Sequence, residues 1–127
     1  KNTTLTDMNL CANHIGDEGA KTWSECIAVN TGLRKLFLDI NNIEDAGAKA
    51  MAVGIAKNRT LKSMSMMMNN FSAQGYKDLE AAIVKNLCIE DISLSDSLVA
   101  SKPIVLAIRD HCECNAIRLR QGHEEMY

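Results

Sequence analysis

Apolar residues return along this chain at a fixed spacing of 28 residues. Leu5, Met8 and Leu10 recur as Leu33, Leu36 and Leu38, then as Leu61, Met64 and Met66, and last as Ile89, Ile92 and Leu94. A polar residue follows each trio at a constant offset, Asn13, Asn41, Asn69 and then Ser97. Two positions on comes another apolar residue, Ile15, Ile43, Phe71 or Val99. No insertion interrupts the register, so the chain divides into units at 2–29, 30–57, 58–85 and 86–113. Each unit holds two periods. The spacing L-x-x-L-x-L puts alternate residues of a short strand on one face. Helical spacing then takes over: Ala20, Trp23 and Ile27, then Ala48, Met51 and Ile55, then Tyr76, Leu79 and Ile83. Sets at i, i+3 and i+7 form one apolar stripe along a helix.

The ends of the helices are marked as well. Asp17, Asp45 and Ser101 share one repeat position, where a short polar side chain caps an N-terminus, and Glu18 and Glu44 beside them suit the helix dipole. In the third unit Ala73 takes that position and Ser72 stands in. Pro103 falls in the first turn of the fourth helix, where its missing N–H costs little. Asn30, Asn58 and Asn86 follow the helices, and asparagine tolerates the left-handed conformation that ends one. Every unit therefore reads strand, turn, helix, turn.

One such unit cannot bury its apolar face alone, so the units stack. Paired strands lie about 4.8 Å apart and packed helices about 8–10 Å apart. A narrow row of strands joined to a wider row of helices bends the stack. The expected fold is α/β: a right-handed β-α superhelix with parallel strands on the concave side and helices on the convex side. Asn13, Asn41 and Asn69 end the strands, where a buried amide satisfies the loop backbone of its own and adjacent units. Gly19, Gly47 and Gly75 repeat with the unit, which assigns them to local packing.

The run L-x-x-L-x-L-x-x-N-x-I followed by "GDEGA" or "EDAGA" resembles the leucine-rich repeats of the ribonuclease-inhibitor type. That superfamily includes the sensor regions of NOD-like receptors, the Ran GTPase-activating protein and the tropomodulin actin-capping domain. The resemblance covers residues 2–99 and then decays. In "CNAIRLRQG" Ile117 is in register for a fifth strand, but Arg120 and Gly122 fall where core residues belong. Residues 114–127 are thus expected to form a C-terminal cap, whose outer face meets water. Lys1-Asn2 opens as though a helix had just ended. The whole of 1–127 is expected to be a single domain, the C-terminal part of a longer solenoid, with an uncapped N-terminal edge open to self-association.

A formal charge of −2 predicts no attraction to nucleic acid or to an acidic membrane surface. The apolar runs are too short to span a bilayer. Five cysteines, Cys11, Cys26, Cys88, Cys112 and Cys114, show no framework spacing, and Cys26 and Cys88 fall in small apolar slots. Reduced thiols of that kind indicate a soluble intracellular, cytoplasmic protein. The sequons at Asn2 and Asn58 occupy one repeat position, which favours a structural role in the turn.

Strand residues between core positions point into the concavity. The expected partner-binding set is Asp7, Asn9, Lys35, Phe37, Asp39, Ser65, Met67 and Asp91, a polar surface in which Phe37 and Met67 stand out as adjacent apolar anchors. In "SMSMMMNNF" the register assigns Met64 and Met66 to the core. His111, Cys112, Cys114 and His123 lack the paired spacing of a zinc site, so no metal and no cofactor is expected. The chain has no phosphate-binding glycine loop, H-E-x-x-H or G-x-S-x-G. The expectation is therefore not an enzyme but a protein-protein interaction module or scaffold gripping a protein partner through the concave face. The resemblance implies an alternative, a GTPase-activator-like regulatory protein, which single-turnover GTP hydrolysis would reveal.

Overall fold

The computed structural model describes residues 2–95 and 102–125, with side chains as far as Gly122. Lys1, Ser97, Val99 and Ser101 lie outside the described residues, as does the side chain of His123. Strands β1 (Asp7–Asn9), β2 (Lys35–Phe37), β3 (Ser63–Ser65) and β4 (Asp91–Ser93) alternate with helices α1 (Gly16–Val29), α2 (Asp45–Lys57), α3 (Ala73–Ile83) and α4 (Lys102–Glu125). The strands form one parallel sheet in chain order. Met8 pairs with Leu36, Leu36 with Met64 and Met64 with Ile92, so each strand sits one repeat from its neighbour. This register lines the middle residues into one row facing the helices. The architecture is the expected α/β solenoid.

Burial rises from the first unit inward. Leu5 is 41% exposed, whereas Leu33, Leu61 and Ile89 at the same position are 4%, 0% and 0% exposed. Met8, Leu10 and Trp23, expected as core, are only half-buried. Cys26, expected in an apolar slot, is exposed, although Gly54 and Ala82 in its column are buried. Cys88 is half-buried. The cause is common to all: among the described residues no unit stacks on the outer side of β1 and α1, and the stacking neighbour, not the residue type, does the burying.

The helix ends correct two expectations. Asp17 and Asp45 lie inside their own helices and cap the next one. Asp17 Oδ1 accepts from the backbone N–H groups of Glu44 and Gly47, and Asp45 Oδ1 accepts from Ser72 N. Ser72 also donates its hydroxyl to Asp45 Oδ2 and accepts from Gln74 N, which makes it the expected cap of α3. The repeating glycine follows from this: a Cβ on Gly47 would lie 2.5 Å from Asp17 Oδ1. Ala73 has no carboxylate with which to continue the series.

Asn30 and Asn58, second, are not left-handed. Their φ values of −75° and −69° are extended. Their side chains act instead. Asn58 Oδ1 accepts from Thr60 N and Leu61 N, while its Nδ2 donates to Ile27 O and Asn30 O at the junction of the two preceding units. Asn86 repeats the arrangement, and Asn115 of α4 donates to Asn86 O and Ile89 O. Asn58 is thus buried with its amide nitrogen occupied, and its sequon is a structural coincidence.

α4 runs unbroken through residues 114–125, so the stretch with Ile117 in register continues a helix and starts no fifth strand. Arg118 and Arg120 suit an exposed helix surface and are exposed. Val105, Ile108, Cys112 and Asn115 form its buried side, spaced as one helical stripe.

Candidate interaction surface

Three rows of side chains cross the concave face of the sheet. Asp7, Lys35, Ser63 and Asp91 stand in register at the strand starts, and Asn9, Phe37, Ser65 and Ser93 at the strand ends. Cys11, Asp39, Met67 and Ser95 follow at the rim, where Leu10 N–H to Phe37 O (2.9 Å) and Leu38 N–H to Ser65 O (2.8 Å) continue the ladder. Asp7, Asn9, Lys35 and Asp91 are exposed, Phe37 and Asp39 are half-buried, and Met67 is 40% exposed.

Ser65 is buried, and its hydroxyl is committed: it donates to Asp39 Oδ1 at 2.6 Å. The same oxygen accepts from Met67 N at 2.8 Å. Asp39 thus ties β2 to the turn after β3. Ser63 donates to Asp91 Oδ2 at 3.3 Å, and Asn9 Oδ1 folds back onto Cys11 N. Of the three structural asparagines, Asn41 and Asn69 bridge units as expected. Asn41 Oδ1 accepts from Asn13 N and Ile15 N, and its Nδ2 donates to Leu10 O and Asp39 O. Asn69 does the same for Asn41 N, Ile43 N, Leu38 O and Met66 O. Asn13 is exposed, and its side-chain amide donates to Leu10 O and Cys11 O of its own turn.

Two rim residues escaped the sequence reading. Ala12, Ile40 and Met68 occupy one repeat position and have φ of 59°, 56° and 58°. Ile40 is 51% exposed and Met68 67% exposed. Their signal was there: between the strand leucine and the asparagine, a turn that needs positive φ calls for glycine or asparagine, and finds isoleucine and methionine. Met64 and Met66, by contrast, are core, each 1% exposed.

The Cys/His stretch lies along α4. His111 Nε2 is 3.1 Å from Asn86 O, Cys112 is buried and Cys114 is exposed, so these groups diverge. Burial, and secondarily the Asp91 charge, pushes the Cys112 thiol from 9.0 up to about 12. Among the described residues no three His, Cys, Asp or Glu side chains are close enough to hold a metal ion. None of the described helices is long and apolar enough to cross a membrane.

A sequence model of the leucine-rich repeat matches residues 1–22 and 29–52, the first two strand-helix units. The solenoid also superposes on a solved structure described as leiomodin-1 actin-binding site 2, with a TM-score of 0.74 at 14% identity, over 98% of this chain and 90% of that one. The first two units thus match the leucine-rich repeat in sequence, and the described chain has the fold of a leucine-rich repeat solenoid. The tropomodulin C-terminal domain of Caenorhabditis elegans shares the fold, with a TM-score of 0.60 at 15% identity over 94% of this chain and 90% of that one. No curated protein matches this leucine-rich repeat sequence. The likeness is carried by Leu33, Leu36, Leu38 and Asn41, all buried within the fold, and by their counterparts in the other units.

Proposed function

We propose that this leucine-rich repeat chain is a protein-interaction module that grips its partner through the concave face. The observation that carries the proposal is an apolar pair, half-buried Phe37 at the end of β2 and exposed Met67 in the turn after β3, within a surface otherwise of small and charged residues. Apolar anchors inside a polar rim are how interfaces concentrate their binding energy. Asp7, Asn9, Lys35, Asp39 and Asp91 supply the polar surround, and Ser65 holds Asp39 in place. Both solved relatives support a protein partner, one being named as an actin-binding site. Actin is therefore the first partner to test. The five cysteines are all free thiols, which suits the inside of a cell.

Co-sedimentation with actin filaments, and a pull-down of monomeric actin, should retain the wild-type chain and lose Phe37→Asp by about tenfold in affinity, the scale of one interface anchor. A Phe37→Asp variant that keeps every wild-type partner would sink the concave-face reading. Failure of the wild type to bind actin would reject actin alone.

The uncovered edge of β1 and α1 favours a second contact, between copies. Leu5 there is 41% exposed, and β1 is an edge strand. Light scattering should show dimers at high protein concentration, weakened by Leu5→Lys; a strict monomer would remove this contact.

A further inference from the structure

We propose that Ile40, Met67 and Met68 form a docking patch on the loop rim for a protein segment that presents an apolar side chain beside a basic one. The inference rests on the protein-binding reading and moves its main anchor from the sheet to the turns that follow β2 and β3.

The backbone makes the first argument. Ile40 N–H donates to Met67 O at 3.0 Å, and Asn41 N–H donates to Asn69 Oδ1 at 3.0 Å. Held from both sides, Ile40 takes φ of 56°. A β-branched residue is disfavoured there, because its Cβ substituents crowd the backbone. Glycine or asparagine would satisfy the turn without strain, and burial does not explain the choice, since the side chain is 51% exposed. Met68 repeats the position one unit on, with φ of 58° and 67% exposure, its N–H donating to Ser95 Oγ at 2.8 Å. Two successive units thus place a large apolar side chain outward from a conformation that resists it. Met67 joins them, bonded through its backbone to both Asp39 and Ile40. Two adjacent methionines give the patch unbranched, adaptable side chains.

Charge selects the occupant. Strand and rim positions of the concave face carry Asp7, Asp39 and Asp91 against Lys35 alone. Asp39 adjoins the patch. Its Oδ1 takes both internal hydrogen bonds, from Ser65 and Met67, and among the described residues Oδ2 accepts none. An apolar side chain seated on Ile40 and the two methionines therefore brings a neighbouring lysine or arginine to Asp39 Oδ2.

The test uses the full chain with methyl-labelled methionines and two synthetic 15-residue peptides, one with leucine flanked by arginine and one with the arginines replaced by glutamate. The arginine peptide should shift the Met67 and Met68 methyl resonances and leave Met64 and Met66 unmoved, and the glutamate peptide should bind about tenfold more weakly. Ile40→Asn should raise Tm by about 3 °C as strain is relieved, yet weaken the arginine peptide about fivefold. Asp39→Asn, which keeps an oxygen acceptor for Ser65 and Met67, should weaken it similarly. The proposal is overturned if the arginine peptide moves neither methyl, or if it binds Ile40→Asn as it binds the wild type. A natural partner lost on Phe37→Asp but indifferent to Ile40→Asn also overturns it and leaves the concave-face reading standing.

Discussion

Asparagines at one repeat position should carry very different weights. Asn41 is fully buried and its carboxamide makes four hydrogen bonds: Asn13 N at 2.8 Å, Ile15 N at 3.3 Å, Leu10 O at 2.9 Å and Asp39 O at 3.1 Å. Truncation to alanine does not orphan all four. Leu10 O still receives Asn13 Nδ2, and Asp39 O still receives Ala12 N. The N–H groups of Asn13 and Ile15 lose the partner described for them, at about 1 kcal/mol each in this half-buried setting, and the two weakened carbonyls add about 0.5 kcal/mol each. Asn41→Ala should therefore destabilise the fold by about 3 kcal/mol, a large part of the roughly 5–15 kcal/mol that holds a domain together. Asn13→Ala removes two exposed bonds within one turn and should cost about 0.5 kcal/mol. Urea unfolding followed by far-ultraviolet circular dichroism and by Trp23 fluorescence separates them. With a slope of about 1.5 kcal/mol per molar, the Asn41→Ala midpoint falls by about 2 M and the Asn13→Ala midpoint by about 0.3 M. Equal losses at the two sites would refute the bridging account, because equal losses mean the asparagines serve their own turns only.

Two further outcomes follow from packing and from burial. A Cβ on Gly54 would stand 2.5 Å from the Ser24 carbonyl oxygen and 2.8 Å from Ile27 Cγ1, so Gly54→Ala should destabilise by about 2 kcal/mol despite the helix-propensity gain. Gly122→Ala, with nothing within 4 Å, should gain about 0.5 kcal/mol, and paired thermal melts distinguish the two. Exposed Cys26 and Cys114 should react with a thiol reagent within the mixing time at pH 8, whereas Cys112 reacts only on unfolding. The folded thiol's pKa is raised, so its stabilising effect is complete below pH 9.0 and is lost as pH rises toward about 12, which alkaline unfolding of Cys112→Ala against the wild type will show as a flatter profile.

The fold was legible because its demands are periodic. Leu36 and Leu38 sit where the spacing puts them, fully buried, and Asn41 and Asn69 bridge units as a strand-ending amide must. What escaped the sequence was the identity of each partner. Asp17 reads as a cap for its own helix, since capping is ordinarily local. Here the glycine of the next unit opens a place for its carboxylate, and no spacing within one unit reveals that. The second asparagine series, Asn30, Asn58 and Asn86, was hidden for the same reason: the letter suggests a helix-ending conformation, while the side chains of Asn58 and Asn86 are bonded 31 residues away and that of Asn30 28 residues away. Cys26, Trp23 and Leu5 were overburied by a reading that treats all units alike.

These corrections bear on where binding can reside. Each unit is completed by its neighbour: Asp17 caps α2, Asn58 closes the end of α1, and Asn69 fills the turn of Asn41. The fold thereby fixes the leucines, the asparagines, the helix aspartates and the glycines, together with Asp39 and Ser65 on the concave side, and it leaves the side chains of Lys35, Phe37, Ile40, Met67 and Met68 free of internal bonds among the described residues. Those residues are chosen by something other than the fold. One position beyond the third row the internal demand is even opposed to what is found, for the left-handed turn penalises isoleucine and methionine alike, while Ala12 at the first repeat shows that a small residue serves. A stack that needed only to hold itself together would have placed glycine or asparagine at 40 and 68. The apolar side chains it carries instead are the part of this surface whose selection has to come from a partner.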